Sequence, residues 1–362
     1  MSPEPVLPPA PKTIQMPEMG WIAEVLGTAI SAMEIRAMDS GRGFQSTTWQ
    51  LLLSCHPPGS APESVVLKSE TTNPEAHEFT RLNRSFEREV GVYSHLVPRL
   101  KQHQPIVYGC SANQPCWLLL QDLSHLRSGD QLLGLSHAET VAALQSIAVL
   151  HAEFWLDPQL QQQSWLPAHS FWFQQPQADL VEPFVANYSV RLGEQATTII
   201  RAVLDQREAI DAALAERPWT LVHGDLRADN LLFGGSAQVP SATVLDWSWA
   251  CRSLATIDLA FLIGGSEPVM QRQGRLDELL QLWHGTLLVQ GVRDYPLADA
   301  RRDLQLAALR CLTTSIAMYR FLLDPDVSVR TALFVDQAIQ RHSALVLELQ
   351  AWQALPQRGG LG

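Results

Sequence analysis

The octapeptide His223-Gly224-Asp225-Leu226-Arg227-Ala228-Asp229-Asn230, followed sixteen residues later by Asp246, restricts this chain more than any other feature. The apolar run 220 to 222 leads into the octapeptide, and residues 243 to 245 form a second apolar run that ends at Asp246. Residues 231 to 233, Leu-Leu-Phe, supply the arm between them, so the segment is expected to fold as strands around a hairpin. Such a hairpin gathers Asp225, Asn230 and Asp246 at its open end. Phosphoryl transfer needs this set of groups. One carboxylate takes the proton of an attacking hydroxyl, which we assign to Asp225. A carboxamide and a second carboxylate suit Mg²⁺, a hard cation that takes few protein ligands plus phosphate and water; these are Asn230 and Asp246. The bland reading is that His-Gly-Asp is a turn and Asp246 a helix cap.

Two upstream features fit the same chemistry. Lys68 ends the run Ser-Val-Val-Leu-Lys, and a lysine emerging from a buried strand requires a counter-charge. The following helical pattern offers Glu87 and Glu89. Glu89 shares the face of Val90 and Tyr93, while Glu87 lies about 160° around the helix and is expected to face solvent. A Lys68–Glu89 pair would hold the α and β phosphates of ATP; otherwise Lys68 is a surface lysine at a strand end. In Ser40-Gly41-Arg42-Gly43-Phe44-Gln45-Ser46 two glycines allow backbone N–H groups near phosphate oxygens, with Gly41, Gly43 and Ser46 as the contacts. A plain glycine hairpin turn explains the segment equally well.

The 362 residues exceed one compact core, so two lobes are expected. A proline-rich tail over 1–17 precedes a nucleotide-binding lobe over 18–121 and a catalytic and substrate-binding lobe over 122–362. The spacing predicts a helix over 18–32, strands over 34–39, 47–54 and 64–70, a helix over 75–97, and two more strands near 104–109 and 116–122. Helical patterns dominate afterwards, over 137–155, over 196–215 and from 256 to about 354. The class is therefore α+β, with a small sheet-bearing lobe and a larger, mainly helical one. Residues 156–195, with aromatics at Trp165, Phe171, Trp172 and Phe173, read as a lid over a cleft or as a loop with a short helix.

The net charge of −11 argues against a nucleic-acid partner. The N-terminal residues lack the apolar core of a signal peptide, and no stretch reads as a membrane span. Five cysteines, an odd number without a Cys-x-x-Cys, fit a reducing cytoplasm; Cys110 and Cys116 are the pair a hairpin could bridge. No protein partner is evident, and the expected partner is a small-molecule alcohol. No serine or cysteine stands in a nucleophile-elbow context, which disfavours a hydrolase using His223 as base. A kinase-fold protein that senses a nucleotide or metabolite is the alternative to an enzyme.

Taken in order, these pieces resemble the aminoglycoside phosphotransferase and choline kinase superfamily, and within it the ecdysteroid kinase-like branch. The matching positions are Gly41 to Ser46, Lys68, Phe86–Glu89–Tyr93, Trp117 to Ser124, Leu150-His151-Ala152, His223 to Asn230, Asp246-Trp247 and Asp258-Leu259-Ala260. The resemblance implies a protein kinase-like two-lobed fold and the use of ATP with Mg²⁺. It also implies that residues 119 to 123, with Gln121 and Leu123, connect the lobes and bind adenine through backbone groups. Asp258 is implied to brace the catalytic loop, with a helix N-cap as the equal alternative. His151 reads as a packed helix histidine. Gln121 stands where the branch often has an acidic residue. Asp246-Trp247-Ser248 lacks the glycine of the protein-kinase metal motif, and no long activation segment follows it. Arg227 stands where protein kinases carry lysine; it would neutralise the γ-phosphate or form an exposed salt bridge.

Overall fold

The computed structural model describes residues 16–38, 46–71, 73–100, 104–113, 115–168 and 178–356. Residues 1–15 of the expected tail, Gly41, Gly43, Phe171, Trp172 and Phe173 lie outside the described residues. The chain divides into two compact units, Met1–Leu126 with Asp246–Ser248, and Arg127–Leu245 with Trp249–Gly362.

The first unit is built on an antiparallel sheet of β1 (Ala29–Ala37), β2 (Ser46–His56), β3 (Ser64–Glu70), β4 (Val107–Ser111) and β5 (Trp117–Gln121), in the order β1-β2-β3-β5-β4. Alternation along β2 buries Trp49, Leu51 and Leu53, and along β3 it buries Val65 and Leu67. These side chains pack with Trp21 and Ile22 of helix Met19–Leu26 and with Trp117 and Leu119 of β5. The period of two then puts Lys68, between Leu67 and Ser69, on the opposite face of β3, cross-strand from Thr48 and Leu118.

Two expected helices are shorter than their apolar periodicity suggested. The first stops at Leu26, because Gly27 turns left-handed (φ 64°) and its N–H caps Ala23 and Glu24; the chain then enters β1. The second is broken at Arg84, also left-handed (φ 51°). Helix Pro74–Asn83 therefore precedes helix Ser85–Gly91, and a wide turn over Val92–Leu96 follows.

In the second unit, β6 (Arg127–Ser128), β8 (Leu231–Gly235) and β9 (Pro240–Val244) form one small sheet. β7 (Thr220–Val222) and β10 (Cys251–Ser253) form another. Helix His137–Glu153 starts at a complete capping box between Ser136 and Glu139 and packs on β9. The expected helix over 196–215 is two, Ala178–Asp205, kinked at Gly193, and Arg207–Ala215; the first also takes up much of the 156–195 region. Helix Leu297–Ala317 is buried along nearly all of its second half. With the turn to Leu323 it is long and apolar enough to cross a membrane by length and composition, a feature the sequence reading passed over, but 78% of its apolar window lies inside the protein. All five cysteines are free, so Cys110 and Cys116 are not bridged.

Candidate active site

Lys68, Glu89 and Asp246 meet in the first unit. Lys68 Nζ stands 2.8 and 2.7 Å from the two carboxylate oxygens of Glu89 and 3.4 Å from Asp246 Oδ1. Glu89 is buried; Glu87, on the other side of the helix, pairs with Arg84 instead. Burial pushes the Glu89 carboxyl up to about 7 against the pull of Lys68. Burial opposes the lysine charge, but Asp246 and then Glu89 outweigh it and raise the Lys68 pKa. Asp246 itself is left-handed at φ 65°, a conformation that aspartate and asparagine tolerate better than other residues. Ser46 opens β2, cross-strand from Glu70.

The residues expected to meet adenine, 119 to 123, run from the end of β5 into the chain that follows it. Leu119, Leu120 and Gln121 belong to β5, where Gln121 pairs with Val65 and its N–H donates to the Ile106 carbonyl. The Gln121 side-chain oxygen accepts from Ile106 N–H. Leu123 is buried. Asp122 is tied to Ser64, Gln50 and Ser124, and these bonds hold its carboxyl below the usual range although burial works the other way.

In the second unit the octapeptide folds as a tight loop between β7 and β8. Gly224 is left-handed (φ 79°), and a Cβ there would stand 2.3 Å from the Trp249 carbonyl oxygen, so glycine is required. Leu245 N–H donates to the Asn230 carbonyl at 2.9 Å, and Asp246 is the next residue. His223 is committed to structure: its Nδ1 accepts from Asp225 N–H, and its Nε2 donates to the Leu245 carbonyl. A hydrolytic role for this imidazole is thereby disfavoured. Asp225 Oδ2 accepts from Arg227 Nε and Asn230 Nδ2, both at 3.1 Å. The Asn230 amide also donates to the Asp225 carbonyl at 2.8 Å, which fixes its nitrogen on the Asp225 side and turns the amide oxygen away from it. Arg227 is part-buried and also binds Asp229 at 2.6 Å, so the exposed salt bridge weighed above is not what forms.

Asp258 is not an N-cap. It is the third residue of helix Thr256–Phe261, fully buried, and its carboxylate accepts the N–H groups of His223 (2.7 Å) and Gly224 (2.9 Å). His151 Nε2 lies 3.1 Å from the same carboxylate, while its Nδ1 accepts from Trp283 Nε1. Every partner of Asp258 is a donor, so Asp258→Asn sets an amide NH₂ against one of them. We expect it to lower unfolding free energy by about 2–4 kcal/mol, read by urea denaturation. An unchanged midpoint would show that the brace carries no stability.

Sequence reasoning missed three further supports. Gln131 Oε1 and Ser266 Oγ both accept from Ala228 N–H at 2.9 Å, and Asp229 accepts from Gln131 N–H and Arg330. They lie far from the octapeptide in sequence and belong to no motif. Asp225 and Arg227 also border a small cavity with Phe261, Met318, Phe334 and His342. Burial, then Arg272 and Arg341, lower the His342 pKa from 6.5 to about 4, against the Ala338 and Ala260 carbonyls. The unfolded chain binds this proton below about pH 6.5 and the folded chain only near 4. The stability tied to the neutral ring is complete above that window and is lost as pH falls through it. His342→Gln should flatten the acid limb of a stability profile by on the order of 3 kcal/mol between pH 7 and pH 4. Parallel profiles would contradict this.

A family model, the ecdysteroid kinase-like family, matches residues 40–292. No curated protein matches at a significant level. Among solved structures, a Ralstonia eutropha JMP134 protein assigned to the aminoglycoside phosphotransferases is similar at 14% identity and TM-score 0.56, over 94% of this chain and 98% of that one. An ethanolamine kinase from Plasmodium vivax (11%, TM-score 0.51, 89% and 85%) and a choline kinase from Cryptosporidium parvum Iowa II (12%, TM-score 0.50, 89% and 93%) are also similar. At these identities the likeness shows the fold, which is the two-lobed, protein kinase-like α+β type.

Proposed function

This chain belongs to the ecdysteroid kinase-like family, and from that premise we propose that it is an ATP- and Mg²⁺-dependent phosphotransferase acting on a hydroxyl of a small molecule. The observation that carries the reading is the state of Asp225: a nearly buried carboxylate, oriented through one oxygen by Arg227 and Asn230, on a loop clamped by Asp258. Such a group can accept the proton of an alcohol as its oxygen attacks the γ-phosphorus. Lys68, kept cationic by Glu89 and Asp246, would hold the α and β phosphates.

The donor set fits magnesium. Asn230 offers an amide oxygen and Asp246 a carboxylate, hard ligands of the kind Mg²⁺ takes alongside phosphate. Asn230 and Asp246 would hold the magnesium, which would supply positive charge against the phosphates. Asn230 would then serve twice, orienting Asp225 through its nitrogen and meeting the cation through its oxygen. Gly41, Gly43 and Ser46 would approach the phosphates, and Gln121 and Leu123 would border adenine. Five free thiols fit a cytoplasmic enzyme.

The test is a screen of sugars, sterols, amino alcohols and simple alcohols for acceptor-dependent ADP release in the presence of Mg²⁺. At least one class should give turnover that EDTA abolishes. Tight ATP binding without turnover on any acceptor would favour a nucleotide sensor instead.

A further inference from the structure

Helix Val329–Glu348 lies C-terminal to the residues that match the family, yet one of its faces closes on the octapeptide. Arg330, Phe334, Ala338 and Arg341 recur along it at spacings of four and three. Arg341 is buried and donates to the carbonyls of Gln131, Gly265 and Leu132, at 2.9, 2.8 and 3.3 Å. That anchors the helix beside Gln131, which itself holds Ala228 and Asp229. Phe334 lays its ring against the Arg227 guanidinium, with Cζ 5.4 Å from the ring centre. Arg330 donates to Asp229 Oδ1 at 3.4 Å and to Asp130 Oδ2 at 3.3 Å.

Helix formation alone does not favour Arg330 where it stands. Ser328 caps the helix by accepting from Thr331 N–H, so Arg330 falls in the first turn, which holds no acidic residue. A cation there opposes the helix dipole. Its two carboxylate partners offset this, and one of them, Asp229, is shared with Arg227. Arg227 is shared in turn: its Nε donates to Asp225 at 3.1 Å and its Nη1 to Asp229 at 2.6 Å. Charge therefore alternates from the loop to the helix through Asp225, Arg227, Asp229, Arg330 and Asp130. Without Arg330, Asp229 would keep Arg227 as its one cationic partner among the described residues, and would compete harder with Asp225 for that guanidinium.

We propose that Arg330 and Phe334 are positioning residues for phosphoryl transfer. Arg330 balances Asp229, Phe334 holds the plane of the Arg227 guanidinium, and together they keep Arg227 Nε on Asp225 Oδ2. The Asp225 carboxylate thereby stays in one orientation as it takes the acceptor's proton. This rests on the reading of Asp225 as the base.

The test has two arms, both on the full chain. The first does not depend on turnover. NMR of ¹⁵N-arginine-labelled protein follows the Arg227 Nε–H signal, assigned by its loss in Arg227→Lys. Phe334→Leu should shift that signal by removing the ring current. Phe334→Leu and Arg330→Ala should each speed its exchange with water by about 5-fold, and Arg330→Lys, which keeps the charge, should restore part of the protection. The second arm measures turnover with Mg²⁺, ATP and the alcohol from the screen above that releases most ADP. Arg330→Ala and Phe334→Leu should each lower kcat by about 10-fold while KM for ATP changes less than about 2-fold. Arg330→Lys should recover part of kcat. In an Asp225→Asn background, Arg330→Ala should cost little more, because both changes act on one group. An Arg227 signal that neither variant alters, an unchanged kcat, or a loss that adds fully to that of Asp225→Asn overturns the inference. Should Arg330→Ala fail to fold, Arg330→Gln and Phe334→Leu still decide. An altered Arg227 signal together with near-normal turnover in Asp225→Asn would keep the hold on Arg227 and remove the base reading. Loss of turnover in Asp225→Asn with an unaltered Arg227 signal would do the reverse.

Discussion

Asp225→Asn is expected to lower kcat by roughly 10²–10⁴-fold, the usual contribution of a positioned general base, while ATP affinity stays near that of the unaltered protein. The substitution is nearly isosteric. Asp225 Oδ2 accepts from Arg227 and Asn230, so an asparagine there keeps both bonds through its amide oxygen. Its NH₂ then occupies the place of Oδ1 and donates where the substrate hydroxyl must also donate. The loop itself should persist, because Asp258, Gln131 and Ser266 bind its backbone and not the Asp225 side chain. Rapid-quench turnover beside equilibrium ATP binding separates the two quantities. Near-normal turnover would remove Asp225 from the chemistry.

Asp246→Asn should affect nucleotide binding more than any other single change. Its carboxylate is the anionic member of the proposed Mg²⁺ pair and the second counter-charge on Lys68 at 3.4 Å. Asparagine tolerates the left-handed backbone at φ 65°, so the change isolates the charge; alanine would add about 1–2 kcal/mol of backbone strain. The expected outcome is a loss of Mg²⁺-dependent ATP affinity on the order of 100-fold, from the several kcal/mol that a well-held cation contributes. Calorimetric titration with and without Mg²⁺ reads it directly. An unchanged dependence on Mg²⁺ would assign the metal elsewhere. Lys68 should also lose part of its raised pKa, since Asp246 is the largest of the influences that raise it.

What was legible in the sequence was local and periodic. Lys68 and Glu89 could be paired because strand alternation fixes one side of β3 and helix phase separates Glu89 from Glu87. The octapeptide could be placed because apolar runs flank it. Single residues that reset the backbone, Gly27 and Arg84, were not legible, since apolar periodicity continues across both positions while the chain does not. Supports assembled from distant segments were equally hidden. Gln131 lies 97 residues from Ala228, and His342 belongs to helix Val329–Glu348, yet both border the cavity at Asp225. Only tertiary packing brings these groups beside the loop.

The most direct measurement follows the label from ATP radiolabelled in its γ-phosphate through a panel of alcohols. Label should enter an organic phosphate ester in the unaltered protein, only with Mg²⁺ and acceptor both present, and should not do so in Asp225→Asn. Label found solely in inorganic phosphate, or left in ATP across the whole panel, would contradict the account.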